Sequence, residues 1–137
     1  MENYVHKVQY YETDRMGITH HSNYIRWMEE ARVDFLNKRD CGYSEVEKMG
    51  FISPVLGIEC NYKKTTTFED EVEIEIKLAE YNSVKMIYEY TMKNKATGEV
   101  VFTGKSSHCF LNKEGRPINL KKVVPEMDER LYKVIGE

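Results

Sequence analysis

The sequence contains few residues that would stiffen or cross-link the chain. Its 137 residues include 3 prolines, 3 cysteines and 1 tryptophan. Cys41, Cys60 and Cys109 are odd in number, widely spread and lack CxxC spacing, so the sequence indicates neither a disulfide framework nor a zinc knuckle. We therefore expect three reduced thiols in or near the core.

Long apolar runs and an excess of one charge are also missing. No run approaches the roughly 18 apolar residues that cross a bilayer, and the N-terminus has no apolar signal core. The 20 basic and 23 acidic residues give a formal charge of −3, which provides no basic field for nucleic acid. These absences lead us to expect a cytoplasmic protein with no membrane span and no nucleic-acid partner.

The apolar residues that are present follow a helical pattern in the first part of the chain. With 41% hydrophobic residues, the chain fits one domain over residues 1–137. A strand-like run over residues 4–12 and a polar segment precede a helix that should begin near Ser22 or Asn23 and end near residues 40–42. Its apolar positions recur at helical spacing: Tyr24, Met28, Ala31 and Phe35. A short helix over residues 44–49 should follow.

From Pro54 onward, the period changes from helical to two. Four strand-like runs occur at about residues 56–62, 72–78, 84–93 and 100–111, and the first should bury Leu56, Ile58, Cys60 and Tyr62. Pro125 suits the first turn of a closing helix over residues 125–135. One short strand, one long helix and four strands predict an α+β fold, in which a curved antiparallel sheet of about five strands wraps around the long helix.

The segment YYETDRMGITHHSNY, residues 10–24, concentrates most of the chemically reactive side chains. Asp14 and Gly17 are common in turns, so a purely structural loop is one interpretation. A second interpretation is catalytic, because Asp14 follows a strand and precedes a helix N-terminus by about eight residues. The free N–H groups of that terminus suit a developing oxyanion, and a carboxylate beside them suits a base or nucleophile in acyl transfer.

A metal site is the third interpretation of this segment. Asp14, His20 and His21 are ligand types, but HxH and HExxH spacings are lacking. Adjacent histidines on an extended segment should also point to opposite sides. We therefore predict no metal site, and solvent-exposed or structurally hydrogen-bonded loop histidines remain an open alternative.

The residues YYETDRMGITHHSNYIRWMEEARVDFL closely resemble the signature of the 4-hydroxybenzoyl-CoA thioesterase-like acyl-CoA thioesterases, which have the hot-dog fold. A second block, GIECNYKKTTTFEDEVEI, resembles a later and less specific part of the same pattern. Together the resemblance covers about residues 4–125. It implies hydrolysis of an acyl-CoA, or of an acyl carrier protein thioester, to a free acid and a thiol.

The resemblance also implies roles for individual residues. Asp14 matches the catalytic aspartate, which either attacks the thioester carbonyl or activates water. His21 matches the helix-start residue whose backbone N–H polarises the thioester oxygen, and its side chain is a further catalytic candidate. Four neighbours are expected at the substrate site: Gly17, His20, Asn23 and Tyr24.

Coenzyme A recognition is predicted from three more distant residues. Lys63 and Lys85 are candidate partners for the phosphates, and Ser83 lies in a turn that approaches the nucleotide or pantetheine arm in similar proteins. The resemblance implies no metal or redox cofactor, because coenzyme A belongs to the substrate. It further implies a homodimer, or a dimer of dimers, with the active site at a subunit interface.

Two other functions are compatible with the same fold. A hydratase or dehydratase would act on the acyl chain of a thioester, although the position of Asp14 on the entering loop favours hydrolysis. A non-catalytic module would bind acyl-CoA without turnover.

Overall fold

The computed structural model describes residues 1–137 and contains five strands and four helices. The strands are β1 (Tyr4–Lys7), β2 (Val55–Tyr62), β3 (Glu71–Tyr81), β4 (Lys85–Asn94) and β5 (Val100–Cys109), and the helices are α1 (Asn23–Asn37), α2 (Tyr43–Lys48), α3 (Leu120–Val123) and α4 (Pro125–Val134). None of these helices combines the length and the apolar composition of a membrane-spanning helix.

The five strands form one sheet in the order β1-β3-β4-β5-β2. β1 pairs with β3 in antiparallel register, which places Tyr4 opposite Ile74 and Lys7 opposite Glu71. β1 and β2 are therefore the two edge strands. The predicted α+β class and the predicted number of about five strands are confirmed.

The chain forms two compact units, each built from three segments. The first unit contains residues 1–32, 60–76 and 90–104, and the second contains residues 33–59, 77–89 and 105–137. All the residues of the segment 10–24 lie in the first unit. That the 137 residues make up a single domain stays a prediction.

Helix α1 buries the apolar stripe that its sequence predicts. Tyr24, Met28, Ala31 and Phe35 are all at most 3% exposed. The helix ends at Asn37, several residues before the predicted end, because Asp40 takes a left-handed backbone conformation with φ of 56°.

The predicted strand over residues 4–12 is wrong in its second half. β1 ends at Lys7, and residues 10–12 form one turn of 3-10 helix. The turn is closed by Glu12, whose side-chain Oε1 accepts a hydrogen bond from the Gln9 N–H at 2.8 Å. This turn brings the Glu12 carboxylate into the core, where it is 4% exposed.

The predicted burial of one face of β2 is also wrong. Leu56 is 52% exposed and Tyr62 is 47% exposed, although both were expected to be buried. Ile58 and Cys60 are half-buried. The alternation holds along the interior strand β4 and in most of β3, where Val72, Ile74 and Leu78 are buried and Ile76 is half-buried. These strands have a neighbouring strand on each side, whereas β2 has only β5.

The closing helix agrees with its prediction. α4 begins at Pro125 and buries Met127, Leu131 and Val134. It also buries Asp128, whose Oδ1 accepts hydrogen bonds from Tyr81 Oη at 2.5 Å and Ser83 Oγ at 2.6 Å. Burial raises the pKa of the Tyr81 phenol far above its ordinary value, and the Asp128 carboxylate raises it further. This polar cluster fixes α4 against the turn between β3 and β4.

Candidate active site

The segment containing Asp14 folds back on itself as a short antiparallel loop, residues 13–19, here called the Asp14 loop. Thr13 pairs with Thr19, and the Asp14 N–H donates to the Ile18 carbonyl at 2.8 Å. Gly17 has φ of 80°, and its N–H donates to the Asp14 carbonyl at 3.0 Å. The tight turn therefore depends on a left-handed residue at position 17, which glycine adopts at little cost.

The Asp14 carboxylate has one engaged oxygen and one open oxygen. Oδ1 accepts a hydrogen bond from the Met16 N–H at 2.8 Å, as in an Asx turn. Oδ2 accepts no hydrogen bond from the chain, and the side chain is half-buried. The loop thus orients the carboxylate and leaves one oxygen available for a proton or a carbonyl carbon.

The peptide between His20 and His21 is held through its carbonyl oxygen. The His20 oxygen accepts from the Asn23 N–H at 3.1 Å and from Asn23 Nδ2 at 3.2 Å. On the other side of His20, its N–H donates to the Glu12 oxygen at 2.8 Å, which also accepts from Asn23 Nδ2 at 2.9 Å. The His21 N–H has no acceptor within the chain.

The two histidine side chains differ from their prediction. Their rings stack, with centroids 4.3 Å apart, whereas we expected adjacent histidines to point to opposite sides. The prediction assumed an extended segment, but the chain turns at residues 21–22 before entering α1. Both rings are exposed, and His20 Nδ1 is hydrogen-bonded to Ser22 Oγ at 2.8 Å.

Asn23 and Tyr24 were predicted to lie at the substrate site, and the structure buries both. Tyr24 is 3% exposed, and its hydroxyl lies 2.9 Å from Thr66 Oγ1. Thr66 Oγ1 in turn lies 2.6 Å from Thr19 Oγ1. Burial raises the pKa of the Tyr24 phenol. This hydroxyl chain ties the end of the Asp14 loop to the start of α1.

Sequence reasoning missed the role of Glu12 in supporting this region. Its carboxylate accepts from Trp27 Nε1 at 2.8 Å and from the Gln9 N–H, and lies 2.7 Å from His6 Nε2. Burial raises the pKa of the Glu12 carboxyl, but these three interactions together outweigh it and keep the pKa below its ordinary value. The only sequence signal for this role was the position of Glu12 two residues before Asp14 in the segment that resembles the family.

Tyr62 is the second residue that sequence reasoning missed. Its hydroxyl donates to the main-chain oxygen of His21 at 3.0 Å. Its ring contacts Tyr24 and Phe102 edge to face, with centroids 5.4 and 5.3 Å apart. Partial burial raises the pKa of Tyr62 to about 12, and the nearby Cys60 thiol contributes, so the phenol stays a donor at neutral pH. No local signal marks this contact, since 41 positions separate the two residues.

The residues predicted to bind coenzyme A fall into both units. Lys63 belongs to the first unit with Asp14 and His21, and its side chain is exposed. Ser83 and Lys85 belong to the second unit. Lys85 is exposed, but Ser83 is 3% exposed and its hydroxyl donates to Asp128, so this side chain already has a structural partner.

The chain matches a family model described as the thioesterase-like superfamily over residues 8–134. A relative from Bacillus subtilis, named "Putative acyl-CoA thioesterase YneP", is 37% identical over 121 residues, which span 88% of this chain and 87% of the relative. The solved structure of a DHNA-CoA thioesterase from Staphylococcus aureus is 32% identical, with a TM-score of 0.92 over 97% of this chain and 89% of that chain.

A third protein shares the fold at low sequence identity. The structure of Slr0204, a 1,4-dihydroxy-2-naphthoyl-CoA thioesterase from Synechocystis, is 12% identical, with a TM-score of 0.86 over 99% of this chain and 98% of that chain. At this identity, the likeness concerns the fold alone.

Proposed function

The chain belongs to the thioesterase-like superfamily, and on that premise we propose that it hydrolyses an acyl-CoA to a free acid and coenzyme A. Membership makes it a hydrolase of thioester bonds, and the structural likeness to the Staphylococcus aureus enzyme confirms the predicted hot-dog fold. The residues that perform the reaction, and the choice between coenzyme A and acyl carrier protein as carrier, are part of the proposal.

One observation carries the assignment of residues. Asp14 and His21 are the two ends of one short segment that hydrogen bonds hold in place, and each has a polar group without a partner in the chain. Asp14 lies opposite Ile18 in the loop, and three Cα-to-Cα steps of chain, at most about 11 Å, lead from Ile18 to His21. Asp14 Oδ2 and the His21 N–H both lack a partner in the chain. These two groups supply a base or nucleophile and a donor for the thioester oxygen.

The proposed reaction requires only water and the thioester. Water adds to the carbonyl carbon after losing a proton to Asp14, or the carboxylate itself attacks and water then hydrolyses the resulting anhydride. In both routes the C–S bond breaks and the thiolate leaves and takes up a proton. The His21 N–H stabilises the oxyanion, and no metal or redox cofactor takes part, so EDTA should leave the rate unchanged.

The test compares two aspartate-to-asparagine variants in a thiol-release assay. Asp14→Asn keeps the Oδ1 acceptor of the turn but removes the base, so its kcat should fall by at least about 10²-fold. Asp34→Asn is the matched control, because half-buried Asp34 of α1 pairs with Lys38, just beyond the end of that helix, at 2.9 Å and lies outside the segment 10–24. If Asp14→Asn keeps the wild-type kcat, Asp14 is neither the base nor the nucleophile.

The panel of substrates should contain short, long and aryl acyl-CoAs, because one similar structure is named for DHNA-CoA. Acyl-pantetheine and acyl carrier protein thioesters complete it. If crotonyl-CoA gains water and no thiol is released, the protein is a hydratase and not a hydrolase. If every acyl-CoA is bound tightly and no thiol is released, the protein is a binding module. If Lys63 binds the phosphates, Lys63→Ala should raise KM for acyl-CoA but not for acyl-pantetheine.

We also propose that two copies associate through β2. This edge strand presents unpaired backbone groups, and Val55 and Leu56 are 47% and 52% exposed. Leu56→Lys should therefore shift the mass measured by light scattering toward the monomer, and the same measurement on the wild type separates a dimer from a tetramer. The cytoplasm remains the proposed compartment, since all three cysteines carry free thiols.

A further inference from the structure

The Asn23 side chain joins the Asp14 loop to the start of α1. Its Nδ2 group donates two hydrogen bonds, to the Glu12 oxygen at 2.9 Å and to the His20 oxygen at 3.2 Å. The residue is 8% exposed, so both hydrogen bonds come from a buried side-chain amide. Asn23 is the first residue of α1, and its side-chain amide donates to two carbonyls that lie outside the helix.

These contacts fix the direction of the His21 N–H. In a planar trans peptide, the C=O and the N–H point to opposite sides. The peptide that joins His20 to His21 is bound on its C=O side by the main-chain and side-chain donors of Asn23. Its N–H therefore points away from Asn23, in a direction where the chain offers no acceptor.

The other end of the bridge is also rigid. The Glu12 oxygen accepts from both Asn23 Nδ2 and the His20 N–H, so it holds His20 from the opposite side. Glu12 is itself immobilised, because its buried carboxylate binds Trp27 and His6. Asn23 thus links a fixed carbonyl to the peptide whose N–H is left open.

We propose that Asn23 is a positioning residue for catalysis, which holds the His20–His21 peptide so that the His21 N–H meets the oxyanion without reorienting. This inference rests on the proposed function, because it takes the His21 N–H as the oxyanion donor. A donor fixed in advance stabilises the transition state more than the ground state, so its loss should lower kcat more than it raises KM.

The principal variant is Asn23→Asp, which keeps the size of the side chain but replaces the donating amide by oxygen. It should lower kcat by about 10- to 10²-fold, which is no more than the roughly 10²- to 10³-fold for complete loss of one oxyanion donor, because the His21 N–H is misaligned and not removed. KM should change by less than about threefold. Asn23→Ser keeps one donor on a shorter side chain, and its kcat should lie between those of the wild type and Asn23→Asp.

Asn94→Asp is the matched control. Asn94 Oδ1 accepts from the Ala96 N–H at 3.0 Å, and aspartate retains that acceptor. The same chemical change should therefore leave kcat at the wild-type value. Thermal melts of all three variants establish that each is folded under the assay conditions.

Two non-hydrolysable ligands separate positioning from a purely structural effect. A trifluoromethyl ketone analogue of the acyl-CoA forms an oxyanion-like adduct, whereas a thioether analogue has no carbonyl. Asn23→Asp should lose about tenfold or more in affinity for the ketone and keep its affinity for the thioether. Equal losses for both ligands would overturn the proposal, as would wild-type kcat in a folded Asn23→Asp, and so would failure of both Asn23 variants to fold.

The outcome is distinguishable from failure of the proposed function. If the wild type releases no thiol, or if Asp14→Asn keeps full activity, the proposed function itself fails. If Asp14→Asn is inactive while Asn23→Asp is fully active, hydrolysis stands and only the role of Asn23 is rejected.

Discussion

The Tyr62 hydroxyl donates a hydrogen bond to the main-chain oxygen of His21, at 3.0 Å, across 41 positions of sequence. This bond holds the peptide that follows His21, while Asn23 holds the peptide that precedes it. The segment that enters α1 is therefore fixed on both sides of the N–H that we assign to the oxyanion.

Replacing Tyr62 by phenylalanine should reveal the value of this bond. Tyr62→Phe keeps the ring contacts with Tyr24 and Phe102 and removes only the hydroxyl. Loss of one neutral hydrogen bond corresponds to about 0.5–1.5 kcal/mol, so kcat should fall by roughly 2- to 12-fold. Tyr132→Phe is the control, because it removes a hydroxyl bonded to Ser83 in the second unit. Equal kcat values in the two variants would contradict a role for Tyr62 in the site.

Gly17 and Gly98 offer a comparison between two left-handed glycines. Their φ values are 80° and 75°, and a Cβ added at either position would meet no atom within 4 Å. Each change to alanine should therefore cost only backbone strain, about 1–2 kcal/mol in urea unfolding. Gly17→Ala should also lower kcat, because the strained turn carries Asp14, whereas Gly98→Ala should not. Equal activities would show that the geometry of the Asp14 loop does not limit catalysis.

The buried Glu12 carboxylate should make folding stability sensitive to acid. Its pKa is lowered in the folded state, so its stabilising contribution is complete above the unfolded pKa of about 4.3 and is lost as the pH falls through the folded value. Urea unfolding of Glu12→Gln between pH 7 and pH 3 should show a smaller decline than the wild type. Glu29→Gln, a change at an exposed position of α1, should decline like the wild type. Parallel profiles for all three proteins would refute this link.

The Cys41 thiol should be nearly inert toward disulfide reagents. Burial raises its pKa to about 11, although Arg130 opposes the increase, and the side chain is 3% exposed. At pH 8 the thiolate fraction is then on the order of 10⁻³, so the reaction should require unfolding. Half-buried Cys60 should react with the reagent faster than Cys41. The variant Cys60→Ser should therefore lose the fast phase of thiol labelling, whereas Cys41→Ser should retain it. Fast labelling of Cys41 in the folded protein would disprove this expectation. The labelling rates also give the signal that the protein's own thiols contribute to the thiol-release assay.

The sequence by itself determined the elements whose signals are local. The stripe from Tyr24 to Phe35 predicts α1, and the alternation in β3 and β4 predicts their buried faces, because periodicity records which side of an element meets the core. Pro125 similarly marks the start of α4. The position of Asp14 before a helix N-terminus made it one candidate, and the family resemblance favoured its catalytic role and added His21. Both roles stay predictions for this chain.

Only the tertiary structure decided which contacts surround those residues. The exposure of β2 depends on its place at the edge of the sheet, which the alternation within the strand does not encode. Ser83 lies in a turn, as the prediction of coenzyme A binding required, but its hydroxyl donates a buried hydrogen bond to Asp128, 45 positions away. Likewise, Tyr62 reaches His21 only because the fold brings distant segments together. Local sequence sets the conformational preferences of each segment, whereas a hydrogen bond between segments depends on how the whole chain packs, and that packing orients the peptides around the open N–H of His21.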